Sequence, residues 1–287
     1  MDFAKEWLKN LLSEAFSSFD SLVQNAVDVL AGGGDFFGDE AVWNRVVGLS
    51  EALKPFCYIV IGICLLLELA QVASKVDIIK WEHGLKIAVK MVLSKVMIDI
   101  APTFLRACYN QASLWINSIG TGGSSMGENL IPPVIEEVNR IHDFFQPLIL
   151  LVVVLIPVMA IKICGLLVEV IAFGRMFELY CLLCISPLPC AFFPLGDGTG
   201  GGFSRITRKF FLNFIGVCLH GVMIIISIKI FGELMTGAVE AMSANVGGAD
   251  PATNVTNMCY ALLLGAIVLV MACAKSGQWA KSVLDAG

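Results

Sequence analysis

Few residues here have types and spacings that could do chemistry. The soft ligands and nucleophiles are ten cysteines and three histidines. Cys181-Leu-Leu-Cys184 has the C-x-x-C spacing of a redox or metal site, but no βαβ pattern surrounds it. Cys57, Cys64, Cys164, Cys181, Cys184, Cys190, Cys218, Cys259 and Cys273 all lie inside apolar runs, where a free cysteine acts as a small hydrophobe. His83, His142 and His220 are far apart and show no metal-ligand spacing. Gly196-Asp-Gly198-Thr-Gly-Gly201 fits G-x-G-x-x-G, yet it follows a proline-broken apolar segment instead of a strand. No P-loop lysine and no nucleophile–base arrangement is recognisable. The expectation is a non-enzymatic chain with no catalytic residue, no metal and no cofactor.

Charge placed inside apolar segments is what remains, and each such charge is a default functional candidate. Lys95, Asp99 and Arg106 fall within about 40° of one another on a helical wheel, and Lys95 and Asp99 are an i,i+4 pair. Glu68 has Gln71 and Lys75 on its side of the helix and is a natural partner for the extra base of the next segment. Lys162 and Glu169 are seven residues apart and nearly eclipsed. Three readings are open for this polar network: a self-neutralising set between helices, the wall of a hydrated conduit, or a proton relay. Asn213, His220 and Ser227 repeat at heptad spacing with Gly216 nearby, which marks a helix or subunit contact stripe.

The elements that must position these groups are membrane helices. Hydrophobic residues make up 57% of the 287 positions, only 15% are charged, and mean hydropathy is +0.81. Soluble domains have about 25% charged residues, so an ordinary soluble enzyme and a disordered chain are excluded. The expected fold is an all-α polytopic membrane helix bundle of about five spans, with an N-terminal amphipathic helix and a proline-broken re-entrant segment. Apolar residues recur every three or four positions over 3–30, and Ala31-Gly32-Gly33-Gly34 ends that helix. It packs on its own bundle or lies in the headgroup plane. The first two spans occupy 55–109, a hydrophilic loop 110–144 follows, and its second half forms a short surface helix. The membrane core is 145–274, with a kink at Pro157. Within it, 176–195 is re-entrant, broken at Pro187, Pro189 and Pro194, because each removes a helical hydrogen bond. Residues 275–287 are a tail.

Orientation follows from the bases. Lys75 and Lys80, then Arg205, Arg208 and Lys209, then Lys275 and Lys281 mark cytoplasmic segments. The basic turn is 196–209. Region 1–54 has nine acids against four bases, and the 235–256 loop has no base. The expectation is five crossings, N-terminus out and C-terminus in, with 1–54 and 110–144 outside.

Taken together, the topology, the Ser186-Pro187-Leu188-Pro189 break, the Gly-rich basic turn Gly196–Lys209 and the span Phe210–Leu234 carry a family resemblance. The chain resembles the TrbL-type polytopic membrane proteins of type IV secretion and conjugative transfer systems, in the shorter version found on elements of Gram-positive bacteria. The resemblance covers roughly 50–275 and is most specific over about 185–230. It implies a core or channel subunit in the bacterial cytoplasmic (plasma) membrane, a homo-oligomer beside other secretion-channel subunits and cytoplasmic ATPases. It also implies transient contact with translocating DNA or protein; Arg205, Arg208, Lys209 and Lys80 either attract DNA phosphates or only fix orientation. The alternative is a small-solute transporter or ion channel, against which no internal inverted repeat is found.

Overall fold

The computed structural model describes residues 2–32, 40–75, 81–120, 126–141, 145–194, 204–244 and 250–285. Among these, eight helices and no strand occur: α1 (Asp2–Leu30), α2 (Glu40–Lys75), α3 (Trp81–Gly120), α4 (Met126–Asn139), α5 (Gln146–Ile185), α6 (Pro187–Ala191), α7 (Arg205–Ala244) and α8 (Pro251–Asp285). The protein is all-α. Segments Glu40–Ala70, Gln146–Ala191, Arg205–Ser243 and Pro251–Leu284 are long and apolar enough to cross a membrane. That is four, where the sequence pattern suggests about five. The difference is α3: its 40 residues, about 60 Å at 1.5 Å each, are ample, but Lys90, Lys95 and Asp99 sit in its middle.

Several elements are longer than hydropathy alone marks. The helix of the first span begins at Glu40, fifteen residues ahead of Pro55, which sits in its interior. Likewise α8 continues through most of the expected tail to Asp285. Much of the expected 110–144 loop is helical, as the end of α3 and as α4. Helix α4 has one buried face, where Leu130, Val134 and Val138 repeat every four residues, while Pro132, Glu136 and Asn139 are exposed.

The proline break falls later than expected. Helix α5 runs unbroken across Pro157 to Ile185, so 176–185 are plain helix and the interruption begins at Ser186. Pro187 then opens the one-turn α6 at its first position, where a missing N–H costs nothing. The carbonyl of Pro189 accepts a hydrogen bond from the buried Thr207 hydroxyl at 2.7 Å. Pro194 is buried in the turn that follows.

The chain divides into two compact units, and α3, α5, α7 and α8 contribute to both. Unit 1 comprises Met1–Gly34, Leu114–Gly174 and His220–Trp279. Its core joins Leu8, Leu12, Phe16, Phe19 and Val23 of α1 to Val134 and Val138 of α4, Val154, Ile161 and Val168 of α5, Ile224 and Ile225 of α7, and Met258 and Leu269 of α8. The amphipathic N-terminal helix therefore packs on its own bundle. Gly32, at φ 74°, closes α1 in the left-handed region that suits glycine.

Unit 2 comprises Asp35–Ser113, Arg175–Leu219 and Ala280–Gly287. Here Cys57 and Ile61 of α2, Ile98 and Ala101 of α3, and Cys190 and Ala191 of α6 form a small core with Phe211 packed against it. In both units the long helices leave rows of large apolar side chains exposed, such as Ile59, Ile63 and Leu66 on α2 and Val152, Ile156 and Met159 on α5. Water would oppose such surfaces, whereas acyl chains solvate them.

Candidate functional site

The candidate site is the set of polar groups that these helices carry among apolar ones. In unit 2, the Glu68 carboxylate on α2, 14% exposed, pairs directly with the Lys90 ammonium on α3. Lys90 is thus the base of the second segment that Glu68 meets. Nine residues on, Asp99 accepts a hydrogen bond from the Tyr58 hydroxyl at 2.9 Å and has Lys54 at 3.9 Å. Stepping back along α2 while stepping forward along α3 shows the two helices to be antiparallel neighbours.

The stripe Lys95, Asp99 and Arg106 is present on α3 but is not a mutual network. Asp99 bonds α2 instead, and Lys95 is exposed with no ionic partner among the described residues. Arg106 lies 5.1 Å over the Trp43 ring. Trp43 in turn meets Tyr109 at 5.5 Å and Tyr180 at 5.2 Å between ring centroids. This cation–π cluster, worth about 0.5–2 kcal/mol, joins α2, α3 and α5. Nothing in the spacing of these aromatics marks it in the sequence.

In unit 1, the Lys162 ammonium of α5 donates to the Glu14 carboxylate of α1 at 2.9 Å. Lys162 does not meet Glu169, which is half-buried and has no ionic partner among the described residues. Three residues on, Gly165 lets α1 approach: a Cβ there would stand 3.0 Å from Phe19 and 3.2 Å from Leu22.

Two members of the α7 stripe, His220 and Gly216, face α8. His220, 1% exposed, has its Nε2 3.1 Å from the Cys273 carbonyl, which also accepts from the Ser276 hydroxyl at 2.7 Å. Beside Gly216, a Cβ would meet Leu284 at 3.4 Å and Lys281 at 3.6 Å. Ser227 bonds back to the Met223 carbonyl of its own helix at 2.8 Å, and Asn213 is half-buried. Arg205, Arg208 and Lys209 are exposed in the opening turns of α7. Ser204 precedes them, its hydroxyl accepting from the Ile206 N–H at 3.3 Å. The glycine-rich part of the basic turn lies outside the described residues. An apolar groove of about 380 Å³ runs between Val96, Ile100 and Phe104 of α3 and Phe211 and Ile215 of α7. Among the described residues no His, Cys, Asp and Glu group could hold a metal ion.

A bundle of apolar helices with sparse, paired charges fits membrane families of several kinds, and comparison with known sequences decides between them. The model of the family described as TrbL/VirB6 plasmid conjugal transfer like protein matches residues 23–187, more than half of the chain. The chain belongs to this family. No curated protein and no solved structure matches it. The matched stretch ends at Pro187, so residues 185–230, where the resemblance looked most specific, lie almost wholly beyond it. As a TrbL/VirB6-type protein it is a multi-pass membrane subunit of a conjugal transfer or type IV secretion system and works with other subunits of that system.

Proposed function

We propose that this chain is a non-enzymatic core subunit of the channel that carries DNA between cells, assembled as a homo-oligomer in the bacterial plasma membrane. The observation that carries the reading is membership of the conjugal transfer family by a chain whose long helices are clad in apolar side chains. Its polar groups fit a scaffold. Glu68–Lys90, Lys54–Asp99–Tyr58 and Lys162–Glu14 each tie one helix to another. Energy for transport then comes from cytoplasmic ATPases acting with the channel.

The basic residues support an orientation. Lys75, Lys80, Arg205, Arg208, Lys209, Lys275 and Lys281 face the cytoplasm, the N-terminus is outside and the C-terminus inside. Arg205, Arg208 and Lys209 stand exposed where a phosphodiester arriving from the cytoplasm would meet them first.

A crosslinking experiment tests the DNA contact. A cysteine at Arg205, carrying a photoactivated crosslinker, is expected to capture transferring DNA during mating. Absence of crosslinks while transfer proceeds would reduce these bases to orientation signals.

A further inference from the structure

Helix α1 has two opposed faces. Leu8, Leu12, Phe19 and Val23 are buried in unit 1. On the other face Asn10, Glu14, Ser17, Ser21, Asn25 and Asp28 are all exposed, and ahead of them the exposed Phe3 and Trp7 lie in the same arc. At 100° per residue the six polar residues fall within about 80° of one another, and the stripe is about 27 Å long. A bilayer's hydrocarbon core is about 30 Å thick.

Besides α4, helix α1 packs on α5 and α7, and these two set the depth of its middle. Lys162 is flanked on α5 by Met159 and Ile163, both over half exposed, in the most apolar segment of the chain. Its ammonium turns from that apolar side to Glu14. Gly165 receives Phe19 and Leu22, and the Phe19 ring meets Phe231 of α7 at 6.0 Å. Thus α1 lies against the apolar stretches of α5 and α7, level with them. Carboxylates and amides at that level cannot face acyl chains, because each charge there costs several kcal/mol. Glu14, although paired, is 73% exposed.

We infer that the polar stripe of α1 faces water within the thickness of the bilayer, lining an aqueous lumen that further copies of this chain close. The apolar outer side of α5 then faces lipid. This rests on the reading of the chain as a transfer-channel subunit, and it moves α1 out of an external N-terminal region into the membrane; with α2 still entering from outside, α1 then starts on the cytoplasmic side, in place of the outward N-terminus that the bases alone support. Lys162 keeps its charge because Glu14 and the lumen solvate it.

The test uses the full-length chain in isolated membranes of a transfer-competent host. Ser17→Cys and Ser21→Cys are compared with Ile156→Cys on the apolar side of α5, each against the parent chain. The probe is a charged, membrane-impermeant maleimide, followed by copper-phenanthroline oxidation. The Ser17 and Ser21 variants should label about tenfold or more faster than the Ile156 variant, the gap arising from the cost of bringing a charged reagent into lipid. Ser17→Cys should also form chain-to-chain disulfides. Unreactive Ser17 and Ser21 positions would mean that another protein covers the stripe, and an equally reactive Ile156 position that α5 does not face lipid; either overturns the lumen. Labelling without any chain-to-chain disulfide overturns closure by copies. DNA transfer measured in a deletion strain of the same host separates the two levels. If deletion abolishes transfer while the stripe stays unreactive, only the lumen falls. If deletion leaves transfer intact, the reading beneath it falls.

Discussion

Lys162 and Glu14, 148 residues apart in sequence, form a 2.9 Å ion pair that joins the most apolar helix of the protein to its N-terminal amphipathic helix. The pair gives a cation in an apolar segment a partner that its own helix does not supply. Its strength depends on whether water reaches it. An exposed pair contributes about 0–1 kcal/mol, whereas breaking a desolvated one costs about 3–5 kcal/mol. With Glu14 mostly exposed, a double-mutant cycle over Glu14→Gln and Lys162→Met should give a coupling of about 1 kcal/mol or less. A coupling of several kcal/mol would show that the stripe is dry.

Glu68 and Lys90 are the contrasting case. Glu68 is largely buried beside its partner. Lys90→Met should leave a buried carboxylate and lower thermal stability by about 3–5 kcal/mol, while the double variant Glu68→Met/Lys90→Met should recover most of the loss. Detergent-solubilised unfolding measurements check this; equal damage in the single and double variants would show that the pairing is unimportant.

Asp99→Ala should be mild. Its partners are the Tyr58 hydroxyl and a distant Lys54 ammonium, and it is nearly half exposed. The expected loss is about 1 kcal/mol, with Lys95 and Arg106 unaffected. Lys54→Met should cost no more. A collapse of protein level on Asp99→Ala would return Asp99 to a tight network on α3.

Gly165 tests the seating of α1. A leucine there collides with Phe19 and Leu22, so Gly165→Leu should lift α1 from α5 and destabilise by about 1–3 kcal/mol. Gly165→Ala should show a smaller loss of the same kind, since its Cβ already stands 3.0 Å from Phe19. Protease sensitivity within residues 2–30 reports the release.

His220→Phe should cost little, about 1 kcal/mol, because the Cys273 carbonyl keeps its bond from Ser276. Transfer frequency should keep its pH dependence. A shifted profile would give His220 a proton-carrying role beyond helix packing.

The helical membrane bundle, the two-faced α1 and the charged residues set among apolar ones are legible in the sequence, because hydropathy and 3.6-residue periodicity report which face of a helix is apolar. Periodicity does not say what stands opposite that face. Lys95, Asp99 and Arg106 share a side of α3, yet their neighbours are groups of α2 or none. Glu14 as the partner of Lys162 could not be read from local spacing, since it depends on how α1 folds back. The buried face of α4 is readable: Leu130, Val134, Val138 and Ile141 have the spacing of a packed helix face, although glycines and acids around them give the segment a loop-like composition.

Mating frequency is the most direct measurement of the central claim. A clean deletion of this gene in a donor carrying the conjugative element should reduce DNA transfer to background, and the intact gene supplied in trans should restore it. Transfer at the parental frequency in the deletion strain would contradict the account.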